Sequence, residues 1–337
     1  MLRSAASARI FPCAVAEVGS GAGPIWRDAI GTLSFDSVDL PAVDTPFDLA
    51  SLTKVLATTT IVMRLAESAA LALETPVAEL FTEWRGRDRE PATVRDLLEH
   101  ASGLPARLGD APPATSREFV HEICSIPLEY PHRSRSIYSD LGFILLGFAE
   151  ADRGGRPMPL LFRELWPRQT LSFEPSVEMR RRAAPTLPLD DDPRRGRTLR
   201  GEVHDRYAAA LGGAAGHAGL FGSAPAVGAF AQSMLRAARG GADGPFSPAS
   251  VALFLQRSTV PGSSRALGWD TMLPTSSCGT RMSASAFGHV GFTGTSLWID
   301  PARDRYFVLL TNRACGGGSI DAMRDVRRAF HDALGDI

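Results

Sequence analysis

Ser51 and Lys54 stand three residues apart in Ser51-Leu52-Thr53-Lys54. Residues three apart on a helix lie on one face, about a turn from each other. A serine hydroxyl is a poor nucleophile until a neighbour takes its proton. Lysine can act in that chemistry because burial and neighbours tune its pKa, whereas arginine keeps its proton. Lys54 is the only lysine of the chain; the other 35 of its 36 Lys plus Arg are arginine. A coding bias toward arginine accounts for the 35, and the exception marks a position where a removable proton matters. At the start of a helix, free N–H groups and the helix dipole would favour negative charge developing on the Ser51 oxygen.

The elements around this pair read as strands at both ends of the chain and helices between. Segments 11–18 and 25–33 are short β-runs flanking the turn residues 19–24, as in a hairpin. Leu52, Val55, Leu56, Val62 and Leu65 place a buried helix over 52–73. Helices are predicted over 93–100, 116–125, 141–151 and 225–238. Segment 179–201, rich in Arg, Pro and Asp, reads as a solvated loop. The Gly- and Ala-rich run 211–219 lets backbone approach something closely. Strands return at 286–289, 294–299 and 306–311. A last amphipathic helix carries Ile320, Met323, Val326, Phe330 and Leu334 on one face. The predicted fold class is therefore α/β (α+β): an antiparallel sheet flanked by helices and built from both termini, with an inserted, mainly helical domain. The boundaries are 1–65 and 258–337 for the sheet domain and 66–257 for the helical one, with the active site between them.

Two further elements follow Ser51-Leu52-Thr53-Lys54 in order. Tyr138-Ser139-Asp140 precedes the helical run Leu141-Gly142-Phe143-Ile144, and His289-Val290-Gly291 precedes Phe292-Thr293-Gly294-Thr295. Taken singly, Lys54 reads as a surface cation, Tyr138 as a core residue at a helix start and His289 as a satisfied strand histidine. The ordered set resembles the three motifs of serine β-lactamases and penicillin-binding proteins. Leu97-Leu98-Glu99-His100-Ala101-Ser102-Gly103-Leu104-Pro105 and Ala218-Gly219-Leu220-Phe221-Gly222-Ser223-Ala224 are similar to loops of the class C β-lactamase, D-alanyl-D-alanine carboxypeptidase and family VIII carboxylesterase group. The resemblance runs from about residue 11 to 334. It implies a β-lactamase/transpeptidase-like fold, Ser51 as nucleophile, Lys54 as its activator and Tyr138 as general base. It also implies an oxyanion hole from the N–H groups of Ser51 and Phe292, room for substrate at Gly291, and His289 facing the cleft.

The chain departs from that pattern twice. Asp140 stands where asparagine is usual, and a carboxylate beside Lys54 would keep the lysine protonated, as a cation that lowers the pKa of Tyr138. His289 stands where many β-lactamases carry lysine, and a neutral imidazole supplies no fixed charge for a β-lactam carboxylate. Together these favour neutral esters, with a D-amino-acid peptidase or amidase second and a weak β-lactamase third. A non-hydrolytic penicillin-binding or sensor protein is the reading from another class.

Neither cofactor nor metal is implied. Cys13, Cys124, Cys278 and Cys315 are scattered, and His204, Asp205 and His217 fit no ligand template. His100 and His217 read as loop-bracing. A net charge of −1 gives no reason to expect nucleic acid or an anionic membrane as partner, and no apolar run approaches the ~18 residues of a span. The expected partner is a small-molecule ester, amide or β-lactam. Ala14-Val15-Ala16 mimics a signal-peptidase site after a short apolar stretch, but a first strand is the better reading, so the cytoplasm is expected, with export as the alternative. Phe292, Phe221, Trp298 and Leu220 are candidate pocket walls by adjacency.

Overall fold

The computed structural model describes residues 1–109, 111–167 and 170–334. Nine strands occur among them: β1 Cys13–Ser20, β2 Gly23–Gly31, β3 Phe47–Asp48, β4 Leu171–Ser172, β5 Phe221–Gly222, β6 Asp270–Thr271, β7 Phe287–Val290, β8 Ser296–Asp300 and β9 Arg305–Thr311. Six form one antiparallel sheet in the order β2-β1-β9-β8-β7-β6. The first two come from the start of the chain and the other four from its end, as the strand runs predict. Strands β3, β5 and β4 make a small second sheet.

All eight residues of β1 are buried, because this strand is central and covered on both faces. Ala14, Ala16 and Val18 pack with Phe307 and Leu309 against Met323, Val326 and Phe330 of the terminal helix Ile320–Leu334. Cys13 and Val15 face the larger core, with Val308 and Leu310. The period of two in strands assigns alternate residues to the two layers. A cut between Ala16 and Glu17 would sever this strand. No helix among the described residues is long and apolar enough to cross a membrane.

The architecture is mixed α/β, an antiparallel sheet flanked by helices, as expected. The division at 65/66 and 257/258 is kept as a proposal. The helix Ala224–Ala238, inside the middle segment, packs on β1, β8 and β9, so that segment is not self-contained.

Three local expectations need correction. The helix after Ser51 ends at Glu67 rather than near residue 73, and Ala69 adopts a left-handed conformation (φ 57°) in the turn that follows. Segment 179–201 is not simply a solvated loop: it begins in the helix Val177–Arg182, pairs Thr186 with Leu199, and brings Leu189, Asp191 and Asp192 to the main cavity. On the terminal helix Ile320 is exposed, while Arg327 and His331 are buried.

Glu150, on the helix Asp140–Gly154, is fully buried, and neither carboxylate oxygen has a partner among the described residues. Burial pushes its carboxyl well above the ordinary value, so it is held as a neutral acid. Unfolding releases it to ionise, so stability falls as pH rises from the unfolded pKa toward the folded one. Glu150→Met is therefore expected to raise Tm by about 3–6 °C at pH 8 and by less at pH 4.5, by calorimetry. A gain that does not grow with pH would show that Glu150 is ionised in the fold.

Candidate active site

Ser51 enters the site on a strained turn. Ala50, just before it, has φ 48°, a left-handed conformation that non-glycine residues seldom adopt. The turn is held by Asp48, whose Oδ1 accepts the Ala50 N–H at 2.8 Å and whose Oδ2 accepts the His204 N–H at 2.6 Å. Burial raises the Asp48 carboxyl to about 6, with the two N–H groups opposing the rise. The helix then begins at Leu52, and Lys54–Thr58 is wound as a π-helix, a form frequent at functional sites.

Lys54 is fully buried, and its three ammonium donors reach three acceptors. Nζ lies 3.1 Å from Ser51 Oγ, 2.8 Å from Asp140 Oδ1 and 3.0 Å from the His217 carbonyl oxygen. Burial alone would push the ammonium down, but Asp140 foremost and then Tyr138 outweigh it, and the net direction is up. Lys54 is thus charged at rest, as the aspartate at 140 led us to expect. Asp140 opens the helix Asp140–Gly154 and is committed to Lys54 rather than turned to a substrate amide.

Tyr138 lies beside this pair, with Lys54 Nζ 4.8 Å from its ring centroid. Its hydroxyl interacts with both Lys54 and Ser51. Desolvation raises the phenol and the opposing pull of Lys54 does not cancel it. Lys54 lowers the phenol as expected, but crowding by protein exceeds the effect of one cation, Asp140 opposes it further, and the net direction is up. The ring sits between His100 and His289, at 4.8 and 5.8 Å between centroids. His289 Nδ1 is 2.8 Å from the Val290 carbonyl oxygen, so the proton resides on Nδ1 and Nε2 carries a lone pair. Burial first, then Arg265 and Lys54, hold this imidazole well below its usual range, hence neutral.

Ser51, Tyr138, Asp140, His289, Gly291 and Phe292 all line one cavity of about 590 Å³, with Lys54 behind its wall. Of the other candidate walls, Phe221, Trp298 and Leu220 are buried in the core and do not line it. The reason for glycine at 291 also differs from expectation. A Cβ there would fall 2.1 Å from Thr295 Oγ1 and 2.7 Å from the Leu49 carbonyl oxygen, so the close approach is to protein rather than substrate. The N–H groups of Ser51 and Phe292 have no acceptor among the described residues.

Sequence reasoning missed a second layer. Arg107 reaches Asp205 at 2.6 Å and Asp140 at 3.7 Å, and Asp205 Oδ1 is 2.8 Å from His217 Nε2. A chain of polar contacts thus runs from Lys54 through Asp140, Arg107 and Asp205 to His217, whose carbonyl returns to Lys54. Asp140, Asp205 and His217 offer ligand atoms within 4.8 Å of one another, but the Arg107 guanidinium already pairs with both acids, so the set does not suit a cation. Arg265 also lines the cavity, 5.3 Å from the Tyr138 centroid, with no carboxylate in ion-pair range among the described residues. Only Asp205, beside His217, carried a sequence signal, as part of the rejected ligand set.

A cleft of this make-up on this fold defines a hydrolase of the serine β-lactamase and DD-peptidase type. The chain belongs to the Beta-lactamase family, whose family model matches residues 4–330. It is 30% identical over 308 residues to the N-acetylmuramyl-L-alanine amidase of Bacillus subtilis (strain 168), covering 80% of this chain and 68% of the relative. It is 29% identical over 304 residues to a putative D-alanyl-D-alanine carboxypeptidase of Escherichia coli (strain K12), covering 80% and 69%. A class C β-lactamase structure from Rhodobacter sphaeroides superposes with TM-score 0.75 at 20% identity over 98% of this chain and 97% of that one.

The electrostatics give a signed test. Asp140 is the foremost influence holding Lys54 protonated, so its removal lets burial dominate and the ammonium pKa falls. Asp140→Asn is expected to move the rising limb of the kcat/KM–pH profile to lower pH, as neutral Lys54 becomes available as a base. An unmoved limb would show that Asp140 does not control Lys54.

Proposed function

We propose that this chain hydrolyses an ester through an acyl-enzyme on Ser51. The observation that carries the reading is the Ser51 Oγ–Lys54 Nζ contact of 3.1 Å beside a cavity that also presents Tyr138. The reactive form is a minor one, with Lys54 charged and Tyr138 ionised. Ser51 Oγ attacks the carbonyl carbon, its proton passes to the Tyr138 oxygen, and the carbonyl oxygen becomes an oxyanion between the Ser51 and Phe292 N–H groups. On collapse Tyr138 returns the proton to the leaving oxygen. In deacylation Tyr138 takes a proton from water, whose oxygen attacks the acyl carbon, and Ser51 is reprotonated as it leaves. Donors aimed at developing charge are worth several kcal/mol in a site of this kind, about 3–4 for one donor.

The preference for esters rests on neutral His289 and on the apolar side chains Leu189, Phe292, Ile320 and Met323 around the cavity. Fluorophosphonate labelling followed by intact-mass analysis and peptide mapping tests the nucleophile. A single adduct on Ser51 is expected, with none in Ser51→Ala and labelling about 10²–10⁴-fold slower in Lys54→Ala. Folded protein that takes up no label would overturn the reading. A burst of one product equivalent without turnover would leave Ser51 as acylated nucleophile but make the protein a non-hydrolytic penicillin-binding or sensor protein.

Arg265 favours a second reading, hydrolysis of a D-amino-acid peptide or amide with a free carboxylate. Its guanidinium lines the cleft without a carboxylate partner among the described residues, and the two relatives named above carry amidase and carboxypeptidase names. Under this reading Arg265→Gln raises KM about tenfold more for a substrate ending in a carboxylate than for its methyl ester, a loss of about 1.4 kcal/mol. Equal effects on the two would remove the second reading and leave the ester.

A further inference from the structure

Gly291 and Phe292 both line the cavity, and the peptide between them carries a Phe292 N–H with no acceptor among the described residues and the Gly291 carbonyl at its other end. That carbonyl accepts from Arg327 Nη2 at 2.6 Å, and the same nitrogen lies 3.0 Å from the Thr295 carbonyl oxygen. Thr295 O in turn accepts the Gly291 N–H at 2.9 Å. One guanidinium therefore grips both carbonyls of the turn between β7 and β8. The next peptide is held in the same way, since the Phe292 carbonyl accepts from Arg313 Nε at 3.1 Å and Nη2 at 2.6 Å.

Both arginines are buried, with 5% exposure for Arg327 and 8% for Arg313, and neither has a carboxylate in ion-pair range among the described residues. Arg327 Nε has no partner there at all. Such burial is unfavourable: burial first, then Arg313, pushes Arg327 down to about 9. A buried cation without a counter-ion costs stability, and an apolar side chain could join the terminal helix to this turn without that cost. What the cation adds is a field and a donor at one carbonyl. A peptide whose C=O is bonded to a cation is polarised, and its N–H becomes a stronger donor.

We propose that Arg327 is a positioning residue for the oxyanion site, fixing and polarising the Gly291–Phe292 peptide so that the Phe292 N–H is a strong, correctly aimed donor. This rests on the reading of Ser51 as nucleophile. Arg327 also borders the cavity, and the role assigned to it here is exerted through that peptide. Arg313 holds the following peptide still.

The test compares wild type, Arg327→Gln and Arg327→Lys after Ser51 labelling of the wild type. Steady-state kinetics use a p-nitrophenyl ester, with rates per titrated site. Isotope-edited infrared spectroscopy follows the carbonyl of a slowly deacylated acyl group. Arg327→Gln is expected to lower kcat about 30–100-fold with KM within about threefold, and to shift the acyl carbonyl to higher wavenumber. A structural staple would lower Tm while leaving kcat and the carbonyl band in place, and folded Arg327→Gln with those properties overturns the inference. If Arg327→Gln does not fold, Arg327→Lys decides. Its ammonium keeps the charge but sits on a shorter side chain that does not reach the Nη2 position, so a fall of about 3–10-fold and a smaller shift of the same sign are expected. Wild-type values of both overturn it. An unlabelled Ser51 in folded wild type removes the nucleophile reading and this inference with it; a labelled Ser51 with an indifferent Arg327 removes only the inference.

Discussion

The structure depends on keeping one ammonium charged in a place that water does not reach. Lys54 has no exposed surface, and an isolated buried cation would lose its proton or unfold the site. Its three donors must each find an acceptor, and the three come from separate parts of the chain: the turn at Ser51, the first residue of the helix Asp140–Gly154, and the carbonyl of His217. That requirement explains the Gly/Ala run before His217. A Cβ on Gly216 would fall 2.0 Å from the Phe143 carbonyl oxygen, so any other residue would push the loop off the helix and remove an acceptor. Thr58 Oγ1, one turn beyond Lys54, fastens the same loop through the Gly216 carbonyl at 2.6 Å.

Charge is distributed unequally around the cleft. On the Lys54 side each carboxylate is partnered: Asp140 lies between Lys54 and Arg107, and Asp205 between Arg107 and the His217 ring. Against the effect of burial, His217 and then Arg107 and the Ala208 N–H hold Asp205 well below the usual carboxylate range. On the strand side Arg265, Arg313 and Arg327 have no carboxylate partner among the described residues. The first wall can hold a proton inventory steady while the second presents uncompensated positive charge where an oxyanion or carboxylate would lie. Pairing these arginines with acids would stabilise the fold more and the developing charge less.

The parts legible in the sequence were those set by short-range rules. The i, i+3 spacing placed Ser51 and Lys54 on one helical face, period-two runs gave the strands of the sheet, and three ordered motifs brought Tyr138, Asp140, His289, Gly291 and Phe292 to one cavity. What stayed hidden depends on tertiary contacts. Arg107, Arg265 and Arg327 are three of 35 arginines, and nothing local separates a cation that will be buried beside a carbonyl from one that will be solvated. The net direction for Tyr138 is a sum: the lowering by Lys54 was foreseeable from the motif, whereas the larger desolvation was not. Gly291 was assigned to substrate because the sequence does not show that Leu49, from a distant segment, and Thr295, across the same turn, close on it.

The aspartate at 140 therefore exchanges one catalytic property for another. With Asp140 in place the lysine is a fixed cation and the phenol of Tyr138 is raised, so in the proposed mechanism the Tyr138 base is strong but present in a small fraction of molecules near neutral pH. Base strength and abundance oppose each other along a Brønsted relation, and the product of the two is largest when the pKa lies near the working pH. A raised pair costs rate on an activated substrate, where any base suffices, and costs less where proton transfer to a poor leaving group limits the step. The same carboxylate also anchors Arg107 and hence Asp205 and His217, so it cannot be replaced without reordering the wall behind the nucleophile. Residue 140 thus sets both the proton inventory and the rigidity of the site, and the chemistry of the cleft follows from that one oxygen 2.8 Å from Lys54.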